Sequence, residues 1–174
     1  LLDFEQSPTP DRLVFAETLA RRLAPRPVYV PESYAAASGT VSLVCTAVSG
    51  GSFLQYLQGA AAERAGAGKL ALDVQRLRMD FTLPARSGEG RPLSPSEFQA
   101  LLDQESPSVF FSQDLCARYF TYTRGGETHF VLFDDADTLQ QKLQTGTRMG
   151  FSAAFLMYPE VRDLLPRLFP ARRT

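Results

Sequence analysis

An alternating α/β chain organised round a parallel sheet is the fold class that this sequence predicts, and three observations predict it. Short apolar, β-branched runs alternate with stretches of helical period, from Leu1 to the last residues. Several of those runs are apolar on both faces, as strands covered by helices must be. Polar and charged residues collect where the runs end: Asp3 and Glu5, then Glu32, then Arg76 and Asp80. The C-terminal edge of a parallel sheet is where such proteins carry their chemistry.

The 174 residues suffice for one domain with a real core, and 44% hydrophobic with 21% charged residues is globular composition. A net charge of −1 gives no electrostatic footprint for nucleic acid. The two cysteines, Cys45 and Cys116, make no disulfide framework and fit no metal spacing, and His129 is the only histidine. No metal and no cofactor are expected. No apolar run is long enough to span a membrane, and the glycine patterns of nucleotide-binding loops are missing.

Taken in order, Leu1 to Glu5 reads as a strand stopped by Ser7-Pro8-Thr9-Pro10. Alternation places Leu2 and Phe4 under the helices and Leu1, Asp3 and Glu5 on the opposite face. Asp11 to Leu23 is an amphipathic helix with Leu13, Val14, Ala16, Leu19, Ala20 and Leu23 on its apolar stripe, ended by Pro25 and Pro27. A strand from Pro27 to Pro31 delivers Glu32, Ser33 and Tyr34. Val41 to Val48 is a buried strand, and Ser52 caps a helix from Phe53 to about Ala65.

Leu70 to Leu83 reads as one strand, with Leu70, Leu72 and Val74 alternating with Ala71, Asp73 and Gln75, and with Arg76, Arg78 and Asp80 toward its end. A loop over 86–92 precedes a helix that Ser94 and Glu97 open as a capping box. Three β runs follow, Ser108 to Ser112, Ala117 to Thr123 and Thr128 to Phe133, the last two joined by the Arg124-Gly125-Gly126-Glu127 turn. Asp134 to Asp137 caps a helix over Thr138 to Arg148. Phe151 to Tyr158 is a strand, and Val161 to Phe169 a last helix. The parallel units fit part of a (β/α)8 barrel or an open doubly wound sheet. The expected division is 1–84 for the first βα units, 85–135 for an α+β insertion and 136–174 for the last units.

The order of pieces resembles the C-terminal part of the family 18 glycoside hydrolases, the chitinase and spore-cortex N-acetylglucosaminidase group. The residues that carry it are Arg118-Tyr-Phe-Thr-Tyr122, Gly125-Gly126, His129 to Asp135, Thr138-Leu139, Lys142-Leu143, Met149-Gly150-Phe151 and Phe155 to Tyr158, with Asp3-Phe4-Glu5 as the end of that family's acidic signature. The resemblance implies strands four to eight of a TIM barrel with a small insertion between strand seven and helix seven. It implies that Glu5 is the general acid, that Asp3 beside it orients the substrate's own N-acetyl group as nucleophile, and that the glycan is β-linked and N-acetylated. Glu32, Tyr34, Arg76, Asp80 and Tyr158 are the substrate-binding candidates. An extracellular or cell-envelope setting follows from the resemblance alone.

The chain departs from the family at three places. The strand over Val41 to Val48 ends Val44-Cys45-Thr46-Ala47-Val48-Ser49 where the family has Tyr-Asp, the next carries Gln75, Arg76, Arg78 and Asp80 where the family has Tyr-Gly, and there is no Trp to floor a sugar subsite, so Phe155, Met157 or Tyr158 would serve. Three readings follow: an active glycosidase, a barrel that binds glycan or acts as a structural module without turnover, and a shared fold in which Arg76 and Arg78 form ion pairs with Asp73, Asp80 or Glu32. The abrupt start inside a strand leads us to expect a C-terminal part of a longer protein, its barrel completed by a preceding segment or by a second copy.

Overall fold

The computed structural model describes residues 1–64, 66–85 and 90–170. Ala65, residues 86–89 of the expected loop and the end of the Arg-rich tail lie outside these. The elements are α1 (Pro10–Leu23), β1 (Tyr29–Val30), β2 (Val41–Cys45), α2 (Phe53–Glu63), β3 (Leu70–Val74), β4 (Arg78–Leu83), β5 (Arg91–Pro92), α3 (Pro95–Glu105), β6 (Phe110–Ser112), β7 (Ala117–Arg124), β8 (Glu127–Phe133), α4 (Ala136–Met149), β9 (Ala154–Leu156), α5 (Tyr158–Val161) and α6 (Leu165–Leu168). They form two compact units, each assembled from separated stretches of chain.

The first unit comprises Leu1–Thr46, Phe53–Gln75 and Leu143–Met157. Its sheet has the order β1-β2-β3-β9, parallel throughout. Cys45 lies beside Asp73, and Asp73 beside Phe155, so these three share one face. The other face of the sheet packs on α1 through Ala16, Ala20, Val28, Val30, Tyr34 and Ala37, with Leu2, Phe4, Leu13 and Leu19 at the margin. Thr9 accepts the Arg12 amide and Pro10 takes the first helical position, so α1 starts one residue before the expected Asp11 and ends at the expected Leu23. Its buried stripe is narrower than expected, because Val14 is exposed.

The first residues also differ from expectation. Leu2 N donates to Tyr29 O at 2.8 Å, so the segment runs beside β1, but no regular strand forms. Leu1 is 62% exposed rather than buried. The alternation itself stands: Leu2 and Phe4 are half-buried against the α1 core, and Asp3 and Glu5 are exposed.

The second unit comprises Ala47–Ser52, Arg76–Lys142 and Tyr158–Thr174. It holds an antiparallel sheet of order β5-β4-β8-β7-β6. Gly125 and Gly126, at φ +62° and +85°, make the tight β7–β8 turn, a conformation that favours glycine at both positions. Leu101 of α3, with Phe98 and Leu102, packs on Phe120, Val131 and Phe133. The opposite sheet face gathers Phe81, Ala117 and Leu132 with Tyr119 and Phe130. The expected capping box opens α3, with Ser94 accepting the Glu97 amide and Glu97 accepting the Ser94 amide.

Two expectations are overturned here. Leu70 to Leu83 is not one strand: β3 pairs in the parallel sheet and β4 in the antiparallel one. The chain turns at Gln75–Leu77 because Asp134 captures the Leu77 amide at 3.0 Å and Arg76 is held by groups distant in sequence. The helix over Val161 to Phe169 is two short ones, α5 and α6, with Pro166 early in the second. Among the described residues, no helix is long and apolar enough to cross a membrane.

Candidate functional site

The C-terminal edge of the parallel sheet carries a polar residue within two positions of the end of β1, β2 and β3: Glu32, Thr46 and Gln75. Phe4 stacks on Tyr34, with ring centroids 4.5 Å apart, and Leu2 packs into the same core. Because these two side chains are anchored, Asp3 and Glu5 are held on the opposite face, in solvent. Glu32 follows β1 and is exposed. It accepts the Tyr56 hydroxyl at 3.4 Å. Burial pushes the Tyr56 phenol up to about 12, and the charges of Glu32 and Cys45 add to that.

Next along the edge comes Asp73, half-buried on β3 between Cys45 and Phe155. Gln75 Nε2 donates to its carboxylate at 2.7 Å. The first unit therefore presents four carboxylates at or near one sheet edge, Asp3, Glu5, Glu32 and Asp73, with a phenol and a carboxamide beside two of them. Such a set can move a proton and accept N–H and O–H hydrogens from a polyhydroxylated ligand. Among the described residues, no three His, Cys, Asp or Glu side chains are placed to hold a metal ion.

The other candidates fall elsewhere. Tyr34 is fully buried, and its hydroxyl donates to Gln6 O at 2.9 Å, so it locks the first segment onto the core and faces no cleft. Arg76, Asp80 and Tyr158 belong to the second unit. Arg76 is only 12% exposed at its side chain. It pairs with Asp163 at 2.8 Å and donates to the Glu160 and Asp134 carbonyls, none of them the partners expected. It is a clamp on the chain. Asp80 is buried in the antiparallel sheet, where it accepts the Tyr122 hydroxyl at 2.9 Å and faces His129 Nδ1 at 3.1 Å. The expected ion pair of Arg76 with Asp80 does not form. Tyr158 is 65% exposed at the start of α5.

Sequence reasoning passed over Tyr56 and Asp73. Asp73 had a signal, since it sits on the Ala71 face of an otherwise apolar strand, one position from its C-terminal end. Tyr56 had none, because its approach to Glu32 depends on how α2 is set against the sheet.

No protein-family model matches the chain, and no curated protein does. Solved structures do. A chitinase from Chromobacterium violaceum is 18% identical with a TM-score of 0.60, covering 90% of this chain and 59% of its own. The spore cortex-lytic enzyme SleL of Bacillus cereus is 18% identical with a TM-score of 0.60, covering 91% of this chain and 45% of its own. A family 18 chitinase from Cycas revoluta, in complex with (GlcNAc)4, is 16% identical with a TM-score of 0.58, covering 96% of this chain and 65% of its own. The chain thus spans about half to two thirds of these structures' lengths. At such identities the likeness concerns architecture. The parallel sheet is a half-barrel, and the chain carries part of the fold of the family 18 glycoside hydrolases.

Proposed function

We propose that this chain is the acid-bearing part of a glycosidase acting on a β-linked, N-acetylglucosamine-containing glycan. The observation that carries the reading is the anchoring of Leu2 and Phe4, which leaves Asp3 and Glu5 side by side on the open face at the start of a half-barrel of this fold. In this reading the Leu1 segment, β1, β2, β3 and β9 are strands four to eight of the barrel. The antiparallel sheet is an insertion after strand seven. We place its start at Arg78 because β4 is already antiparallel, whereas the sequence led us to 85–135.

The chemistry follows from two carboxylates on one face. Glu5 in its acid form donates to the glycosidic oxygen as the bond to the anomeric carbon breaks. The substrate's acetamido oxygen attacks that carbon and forms a cyclic oxazolinium ion. Asp3 accepts the amide N–H and offsets the positive charge. Glu5, now ionised, takes a proton from the water that opens the ring, so the anomeric configuration is retained. Glu32 and Asp73, in the same unit, are suited to accepting sugar hydroxyls.

A second reading is a barrel that holds glycan without turnover. It is favoured by Cys45 at the end of β2, where the resembled family has tyrosine, and by the burial of Tyr34, whose hydroxyl is committed to Gln6 O. The test is hydrolysis of a chromogenic N-acetylglucosamine oligomer series by the full-length protein beside its Glu5→Gln variant. Turnover that falls by about 10²–10⁴-fold in Glu5→Gln, with binding kept, is the expected result. Binding with no turnover in the unaltered protein would select the second reading.

A further inference from the structure

A cavity of about 450 Å³ lies at the other end of the parallel sheet, where the chain enters β2 and β3. It is within the first unit and at the edge opposite Glu32 and Asp73. Ser38, Gly39, Thr40, Glu63, Arg64 and Lys69 line it. This volume is in the range of small-molecule sites.

Arg64 is the unusual residue. It follows α2, and its Nη2 donates to Thr40 O at 3.3 Å. Its Nε is buried and has no hydrogen-bond acceptor. A guanidinium carries five donors in a rigid fork, and leaving one of them dry and unpaired is unfavourable. Among the described residues, neither Arg64 nor Lys69 has a carboxylate within ion-pair distance, so two cations on this wall stand against one acid, Glu63. The Thr40 hydroxyl is already committed to Ala37 O at 2.7 Å, and the Ser38 amide to Glu17 Oε1 at 3.0 Å. The Ser38 hydroxyl is left as a neutral donor beside the cations.

We infer that this cavity is a binding site for an oxyanion group, a phosphate or a carboxylate carried on a small molecule, with Arg64 gripping it through its fork and Lys69 adding charge. A planar two-oxygen face satisfies a guanidinium edge in a way that chloride or a neutral ligand does not. The site is separate from the acid pair and needs no turnover to operate.

The test is calorimetric titration of the protein with inorganic phosphate and, separately, with malonate. At least one of them binds, and Arg64→Gln weakens it tenfold or more. Arg64→Lys keeps the charge without the fork and also weakens it, and Lys69→Gln weakens it several-fold. Arg162→Gln, at an exposed arginine of the other unit, leaves it unchanged. Preference between the two anions tells phosphate from carboxylate. If Arg64→Gln does not fold, Lys69→Gln carries the test. Absence of binding to the unaltered protein overturns the inference, as does binding indifferent to both substitutions or weakened equally by Arg162→Gln.

Discussion

Lys142 buries both its ammonium head and its stem. Its Nζ lies 2.8 Å from Asp134 Oδ2, and both side chains are fully buried. Asp134 also accepts the Leu77 amide and the Thr138 hydroxyl, so one carboxylate ties the β3–β4 break to α4. Removing one partner leaves a buried charge uncompensated, so Lys142→Met should cost about 3–5 kcal/mol in urea unfolding. Glu97 makes the opposite case, a carboxylate in water whose value is set by local bonds. Hydrogen bonds from Ser94, then Arg91, bring it down to about 2. Its folded value lies below its unfolded one, so its contribution is present above about pH 4.5 and is lost as pH falls toward 2. Glu97→Gln should flatten the acid limb of the stability curve over that window, as read by thermal unfolding at stepped pH. These residues also show what the sequence could tell. The facing of Asp3 and Glu5 was legible because alternation is local, and the capping box was legible because it spans three residues. The bonds of Arg76 and the Asp134–Leu77 bond were not, because the groups they join lie 57 to 87 positions apart in the chain.

Among the elements, α4 depends on a single missing methyl group. A Cβ built on Gly146 would stand 2.6 Å from Leu72 Cδ1 and 3.1 Å from its Cγ. Leu72 is buried in β3 and cannot swing aside. Alanine is favoured over glycine inside a helix by about 1 kcal/mol, and overpacking costs about 1–3 kcal/mol. The clash wins, so Gly146→Ala should be less stable on chemical unfolding, and Leu72→Ala in the same chain should remove the clash and show non-additivity. The strand that proved to be two teaches a related lesson. Period-two alternation places Leu70, Leu72 and Val74 on one phase and Leu77, Met79 and Phe81 on the other, so the slip at Gln75-Arg76 marks the break, but alternation carries no information on which neighbour each half will pair with. The start of α3 fared better, since Ser94 and the proline after it are punctuation that works within one turn.

For the whole molecule, each unit draws on stretches from both halves of the sequence, and α4 starts in one unit and finishes in the other. Composition and charge could exclude function classes at this scale, but the division into two units was beyond them, because it depends on which distant strands pair. One feature described above also decides how the molecule responds to reagents. The chain has only two lysines, Lys69 and Lys142. Lys142 is sealed off with Asp134, whereas Lys69 is exposed. Acetic anhydride applied to the native protein should therefore acetylate Lys69 and spare Lys142, and peptide mass spectrometry should find both modified only after denaturation. The folded protein is in effect a molecule with a single side-chain amine, so a dye, a biotin or a surface tether directed at that amine would attach at the entrance to β3.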